Sequence, residues 1–249
     1  MSGPIGLHGG GEYDLGDEPF LDALLAAAEV TARARDGGTG PIRIVILPTA
    51  AGRGLPDRAA ANGRDAFSRR ATATGHRVTV EVARIVDAGS AADPRQIEPI
   101  AGADLIHLPG GDPDLVPSVL AGSAALATIC SAWERGAVIA GASAGAMALA
   151  EWTWTPTGGL HGLGLVRGLA VVPHYDDIRR TRWQETLDGL APGGIGYLGL
   201  DERTGVLSVP NGPGTRDWRV VGPGAAYWYA RGEETPLVGR HGDVLRLPA

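Results

Sequence analysis

Ala137-Val-Ile-Ala-Gly-Ala-Ser143-Ala-Gly-Ala-Met-Ala-Leu-Ala150 reads as a short buried strand over 137–142 followed by the start of a helix over 144–150. Gly141-Ala-Ser143-Ala-Gly145 lies between the two. A serine with small residues two positions away on each side marks a sharp strand-to-helix turn. Such a turn strains the serine backbone and holds its hydroxyl out at the carboxyl end of a sheet. Glycine is needed at both flanks, because a β-carbon there would strike the neighbouring strand or helix. The helix that follows turns free N–H groups toward any negative charge forming beside the serine. Taken alone, the pentapeptide fits a nucleophile and a plain tight turn equally well.

Toward the N-terminus the strand–helix rhythm repeats. Ser123 caps a helix that runs to Gly136 and carries Leu126, Ile129, Cys130 and Trp133. Leu105-Ile-His-Leu108 is a strand closed by Pro109-Gly110-Gly111-Asp112-Pro113, with Asp112 as the cap of a helix bearing Leu115, Val116, Val119 and Leu120. Val78–Ala83 and Ile42–Leu47 are further strands; the second is a near-continuous apolar run, as expected in a parallel sheet covered on both faces. An Arg/Ala-rich helix over 57–74 ends at Gly75, and Pro94 opens a short helix. Ile5-Gly-Leu-His8 opens onto Gly9-Gly10-Gly11-Glu12. Asp17 then caps a helix with Phe20, Leu21, Leu24, Leu25 and Ala28 at helical spacing, stopped by Asp36-Gly37-Gly38. This alternation predicts an α/β fold with a doubly wound, mostly parallel sheet and helices on both faces. Gly9–Glu12, Pro48–Gly52, Gly110–Asp112 and Ser143 all fall at strand carboxyl ends, where such folds gather their functional loops.

Beyond Ala150 the texture changes. Trp152-Thr-Trp-Thr-Pro-Thr-Gly-Gly reads as a loop and Leu169-Ala-Val-Val172 as a strand. Pro173-His174-Tyr175-Asp176-Asp177 follows at that strand's carboxyl end, with Asp177 or Thr181 able to cap a helix through Leu190. From Ile195 the segments Pro210-Asn-Gly-Pro-Gly, Val221-Gly-Pro-Gly224, Arg231-Gly and His241-Gly-Asp punctuate short hairpins. No linker precedes them. The expectation is one domain over 1–249, with 195–249 as a β-rich C-terminal antiparallel hairpin flank.

Composition narrows the function. With 249 residues and 44% apolar content the chain can bury a core of ample size. All 22 basic residues are arginine, yet the net charge is −6 with no basic stripe, which argues against a nucleic-acid partner. Cys130 is the only cysteine, so no internal disulfide forms, and its apolar helical setting reads as core. There is no apolar run of about 18 residues and no charged-then-apolar N-terminus, pointing to a soluble cytoplasmic protein with no membrane partner. His, Cys, Asp and Glu show no metal-ligand spacing, and Gly9–Gly11 does not follow a phosphate-binding pattern, so no metal or cofactor is expected.

A serine hydroxyl needs a base within hydrogen-bond reach to act as a nucleophile. Of six histidines, His8 and His107 lie in or at the ends of apolar strands, His76 and His241 in turns, and His161 in a glycine-rich loop. His174 alone combines a strand end, a preceding proline and following carboxylates. An oxyanion needs two backbone donors. Ala144 N–H, directly after the serine, is one candidate, and Gly111 N–H in the preceding strand's loop is the other. An ordinary turn at Gly110-Gly111 is compatible with that role.

Ile106-His-Leu-Pro-Gly110-Gly111-Asp112 with Leu115, Gly141-Ala-Ser143-Ala-Gly145-Ala, and Pro173-His174-Tyr175 together resemble peptidase family S51, which includes peptidase E and cyanophycinase. The resemblance extends to Gly9-Gly-Gly-Glu12, Gly199-Leu-Asp-Glu202, and Val221-Gly-Pro-Gly with the strand Ala226–Ala230, and so covers nearly the whole chain. It implies the flavodoxin-like fold of class I glutamine amidotransferases, Ser143 as nucleophile where those enzymes use cysteine, and His174 as base. It also implies hydrolysis of a peptide bond next to aspartate, with a small peptide or amide substrate and room for a homodimer.

Two departures matter. Members of that family have been assigned an acidic residue midway between serine and histidine, but residues 152–173 contain no Asp or Glu; only Glu151 precedes them, read as still on the helix. Glu202 is then the first candidate to support His174 and Asp176, with the His-x-acid spacing of the amidotransferases, the second. The Arg-Gly-Arg pattern of cyanophycinases is also absent. Arg179 and Arg182, with Gly110 and Asp112, are the candidate substrate contacts, since a guanidinium takes a carboxylate through two parallel hydrogen bonds. The alternative to a hydrolase is a non-catalytic amidotransferase-like module binding a small acidic ligand or a protein partner. An unsupported His174 would favour it.

Overall fold

The computed structural model describes residues 2–155, 158–175, 194–210 and 216–247. The first half runs β1 (Ile5–His8), α1 (Glu18–Asp36), β2 (Ile42–Ile46), α2 (Pro56–Thr74), β3 (Val78–Val82), α3 (Pro94–Ala101) and β4 (Leu105–Leu108). Next come α4 (Leu115–Leu120), α5 (Ala124–Glu134), β5 (Val138–Ala142) and α6 (Ala144–Leu149). Strands β6 (Ala150–Thr155), β7 (Gly158–His161), β8 (Val166–Val172) and β9 (Gly196–Leu200) follow. The chain closes with β10 (Gly205–Pro210), β11 (Arg216–Val221), β12 (Ala225–Tyr229), β13 (Leu237–Arg240) and β14 (Val244–Leu245).

Among the described residues these strands form two sheets. The larger has the order β14-β11-β10-β1-β5-β4-β2-β3, and its β1-β5-β4-β2-β3 portion is parallel throughout. The order changes direction around β1, the kind of switch point where open α/β sheets form their clefts. Register aligns the carboxyl ends: His8 pairs with Ala142, Leu108 with Gly141, and Ile46 with His107. The loops after β1, β2, β4 and β5 therefore share one rim. The second sheet, β13-β12-β9-β8-β6-β7, has its own parallel centre of β6, β8 and β9.

Side-chain alternation explains the layering. Along β2, Ile42, Ile44 and Ile46 pack with Phe20, Leu24 and Phe67 of α1 and α2, while Val45 faces the opposite cluster. That second cluster is shared between the sheets, joining Ile106, Leu108 and Ile139 to Leu169, Val171, Leu198, Leu200 and Trp228. Ala170 and Val172, one residue out of phase on β8, line a separate aromatic cluster with Trp152, Tyr175 and Tyr229. The two central layers are thus fixed to each other by apolar burial.

Local signals read as expected at most helix ends. Gly37 and Gly75 end α1 and α2 in the left-handed conformation, and the Ser123 hydroxyl accepts the Leu126 N–H. Three readings are corrected. Of the stretch 152–159 read as a loop, residues 152–155 lie on β6 and 158–159 on β7, which pair antiparallel; the Thr/Trp alternation that favours a strand outweighs the nearby Pro and Gly. Glu151 accordingly sits on β6, where its carboxylate accepts the Gly168 N–H at 2.7 Å. Neither Asp112 nor Asp17 caps a helix through its side chain: α4 starts after Asp114, and Asp17 turns inward. The helix expected through Leu190 lies outside the described residues.

Asp17 turns inward because buried polar groups compete for it. Its Oδ2 accepts the Tyr13 N–H at 2.8 Å, and its Oδ1 lies 2.9 Å from His8 Nε2, both side chains being about 1% exposed. His8 Nδ1 accepts the Gly10 N–H, so the ring proton resides on Nε2, facing Asp17 off the ideal hydrogen-bond line. Beside them the Tyr13 hydroxyl pairs with His107 Nδ1 at 2.9 Å. Burial, then Glu12 and Asp17, push the Tyr13 phenol well above its usual range. Burial, helped by His8, lowers His107 from its ordinary 6.5 to about 3. No helix among the described residues is long and apolar enough to cross a membrane.

Phe67, fully buried beneath the sheet against His107 and Tyr13, should lose about 3–5 kcal/mol of stability on replacement by alanine, read from the urea midpoint. His107 sets a pH dependence. Below 6.5 the unfolded chain takes up a proton that the native site refuses until about 3. Its contribution to stability is thus complete above 6.5 and is lost as pH falls toward 3, with a slope of up to about 1.4 kcal/mol per pH unit. His107→Gln keeps a partner for Tyr13 and should flatten that part of the stability–pH curve.

Candidate active site

Ser143 sits between β5 and α6 with φ 48° and ψ −116°, a conformation that β-carbon sterics disfavour. The surroundings hold it there. Its N–H donates to the His8 carbonyl and its carbonyl accepts the Met147 N–H, each at 2.9 Å. A β-carbon on Gly141 would lie 2.4 Å from the Gly145 carbonyl, and one on Gly145 would lie 2.1 Å from the Leu108 carbonyl oxygen. The bend therefore closes only with glycine on both sides, as the spacing implied.

His174 reaches the serine from the second sheet. Ser143 Oγ is 3.0 Å from His174 Nε2, and His174 Nδ1 is 2.8 Å from Glu202 Oε1. An ionised carboxylate can only accept, so Nδ1 carries the proton and Nε2 offers its lone pair to the serine hydroxyl. His174 and Glu202 are neighbours because their strands are: β8 and β9 run parallel with Val172 beside Gly199. His174 and Glu202 follow at the two strand ends. His174 and Glu202 are each about one-third exposed, so the chain is reachable from solvent.

The glycine loop after β1 stitches this arrangement together. His174 N–H donates to the Gly9 carbonyl, Arg203 N–H to the Gly10 carbonyl, and Gly9 N–H to the Thr204 carbonyl. A β-carbon on Gly10, at φ 105°, would lie 2.3 Å from Cε1 of His174. Among the described residues four non-glycine residues have positive φ: Tyr13, Ser143, His174 and Arg203. Each is a member of this constellation or adjoins one. Strain of this kind concentrates where geometry is over-determined by its surroundings.

The loop after β4 lies over the serine. A β-carbon on Gly110 would come within 3.1 Å of Ser143 Cβ, and Gly111, at φ 152°, is wedged against the Ala50 carbonyl. Gly110 N–H donates to Glu12 Oε1 at 2.7 Å, and Asp112 N–H to the Ala50 carbonyl at 2.7 Å. The N–H groups of Gly111 and Ala144 find no acceptor among the described residues. The Asp112 carboxylate turns outward, 3.9 Å from Arg53, which pairs more closely with Asp114.

Ser143, His174, Glu202, Gly110, Gly111 and Ala144 thus gather at one rim. Asp176, Arg179 and Arg182 lie outside the described residues. Sequence reading did not anticipate the contact of Glu12 with Gly110, nor that Gly10 would back the His174 ring. The glycine run at a strand end signalled a close backbone approach, but not which groups would meet there. Among the described residues no three His, Cys, Asp or Glu side chains converge into a set able to hold a metal ion.

Comparison with known proteins agrees with this architecture. The crystal structure of a peptidase from an acI-B1 Actinobacterium superimposes with a TM-score of 0.79 at 24% identity, over 99% of this chain and 98% of that one. That of a putative peptidase E protein from Listeria monocytogenes EGD-e gives a TM-score of 0.52 at 13% identity, over 96% and 99%. At these identities the likeness is one of fold. A search of curated proteins gives no match. Residues 37–208 match the model of peptidase family S51. That span takes in more than half of the chain, so the chain belongs to peptidase family S51 and is a serine-type peptidase.

Proposed function

We propose that Ser143, His174 and Glu202 form the catalytic triad of this peptidase and that Gly111 and Ala144 N–H groups hold the oxyanion. The hydrogen-bond chain from Ser143 Oγ through the His174 ring to Glu202 carries the proposal. In it, Ser143 Oγ attacks the scissile carbonyl carbon as its proton passes to His174 Nε2. Glu202 stabilises the imidazolium and keeps the proton of the free ring on Nδ1. The carbonyl oxygen, now anionic, accepts from the two unpaired amides. His174 then gives its proton to the departing amine, leaving an acyl-serine. A water activated by the same ring hydrolyses that ester and restores the serine. The carboxylate beside His174 favours this reading over a non-catalytic module.

The proposed substrate is a small peptide with an aspartyl residue beside the cleaved bond, bound by a soluble cytoplasmic enzyme organised as one domain. Arg179 and Arg182 are the proposed partners of the aspartyl carboxylate, with Gly110 and Asp112 as further proposed substrate contacts. Charge-assisted bidentate pairing is the chemistry that would distinguish aspartate from asparagine there.

Three measurements test the assignment. A fluorophosphonate probe should label Ser143, and Ser143→Ala should lose both labelling and hydrolysis while keeping the parent's thermal midpoint; continued hydrolysis by that variant would remove the serine mechanism. Glu202→Gln should lower kcat by roughly 10²–10⁴-fold, and a larger fall for Asp176→Asn would move the supporting role to Asp176. An aspartyl dipeptide should exceed its asparaginyl counterpart in kcat/KM on the order of 10- to 100-fold. Equal values for the two would discard the acidic preference, and Arg179→Ala with Arg182→Ala should narrow the gap.

A further inference from the structure

Glu12 has no part in the proton relay, yet it is the side chain from the β1 loop that reaches the loop over Ser143. Its Oε1 accepts the Gly110 N–H at 2.7 Å and would lie 3.0 Å from a β-carbon on Gly110, on whose other side Ser143 Cβ stands at 3.1 Å. The residue after it is anchored twice: Tyr13 N–H donates to Asp17 Oδ2, and the Tyr13 hydroxyl pairs with His107. Tyr13 is also one of the positive-φ residues, at 74°. The stem of Glu12 therefore starts from a fixed point.

The consequence falls on the next peptide. Gly111 N–H belongs to the peptide joining residues 110 and 111, and its direction depends on rotations at two glycines, which are intrinsically loose. Two hydrogen bonds remove that looseness. Glu12 holds the N–H before it, and the Ala50 carbonyl holds the Asp112 N–H after it. The amide between them has no acceptor among the described residues. We infer that Glu12 is a positioning residue for the oxyanion loop, fixing Gly110 so that Gly111 N–H faces the reacting carbonyl; this rests on the serine mechanism proposed above. A carboxylate beside a developing oxyanion opposes it electrostatically. What the position supplies is therefore a hydrogen-bond acceptor of the right reach, and its charge is incidental.

Reach and charge can be separated. Glu12→Gln keeps an acceptor at the same length without the charge, whereas Glu12→Asp keeps the charge one methylene short. Glu12→Gln should retain kcat within about threefold, while Glu12→Asp and Glu12→Ala lose about 30- to 100-fold in kcat with little change in KM, as expected for a donor displaced by about 1 Å. A peptidyl boronic acid forms an anionic tetrahedral adduct with an active serine. Its inhibition constant should weaken by the same factor in the Asp and Ala variants. A merely structural role would lower the thermal midpoint and the active fraction without moving kcat per labelled site or boronate affinity. Parent-like kcat in Glu12→Asp, a loss confined to KM, or a loss in Glu12→Gln equal to that in Glu12→Asp would each overturn the inference. Failure of the serine mechanism itself shows separately, as hydrolysis surviving in Ser143→Ala.

Discussion

The ring of His174 occupies the space a side chain at residue 10 would need: a β-carbon there would lie 2.3 Å from Cε1. That exclusion governs the arrangement of the rim. The backbone of residues 9–11 passes between the ends of β1, β8 and β9 and bonds to both sides, accepting from His174 and Arg203 and donating to Thr204. A chain with side chains at these positions would hold the ring away from Ser143 Oγ. With glycine, main-chain hydrogen bonds rather than long side chains set the Ser143–His174 distance, and main-chain bonds in a packed setting have little slack.

Around this contact the polar groups are graded by burial. Ser143, His174 and Glu202 are reachable from the cleft, while His8, Asp17 and His107 beneath them are about 1% exposed and never meet solvent. The deep set orients the loop that carries Glu12 and leaves its own protons in fixed places: on Nε2 of His8, and absent from a second nitrogen of His107 at neutral pH. The upper set is linked by hydrogen bonds and open to solvent. One glycine loop thus has a buried polar underside and a partly exposed upper edge.

The parallel sheet was legible because its strands are continuous apolar runs and its helices are amphipathic; Ile42–Ile46 and the α1 stripe from Phe20 to Ala32 leave no other reading. Ser143 was legible because both flanking glycines are forced by contact with backbone. The carboxylate beside the His174 ring was less so. Glu202 is 28 residues from His174 and meets it only because β8 and β9 pair in parallel, a long-range fact that local pattern does not encode. The stretch read as a loop, 152–159, misled for the opposite reason: its proline and glycines are turn residues by composition, yet the Thr and Trp residues before them lie on β6, which pairs with β7. Asp17 and Asp112 have the composition of caps, but a buried histidine took one, and the other turned out toward Arg53.

Ser143 is mounted on one sheet, and His174 with Glu202 on the other. Any slippage between the layers would open the contact at the hydroxyl together with the main-chain bonds that tie residues 9 and 10 to His174, Arg203 and Thr204. The Ser143–His174 distance is then a vernier on how the two sheets dock. Trp228 and Leu198, cross-strand partners on β12 and β9, lie in the apolar seam that seats the two layers on each other.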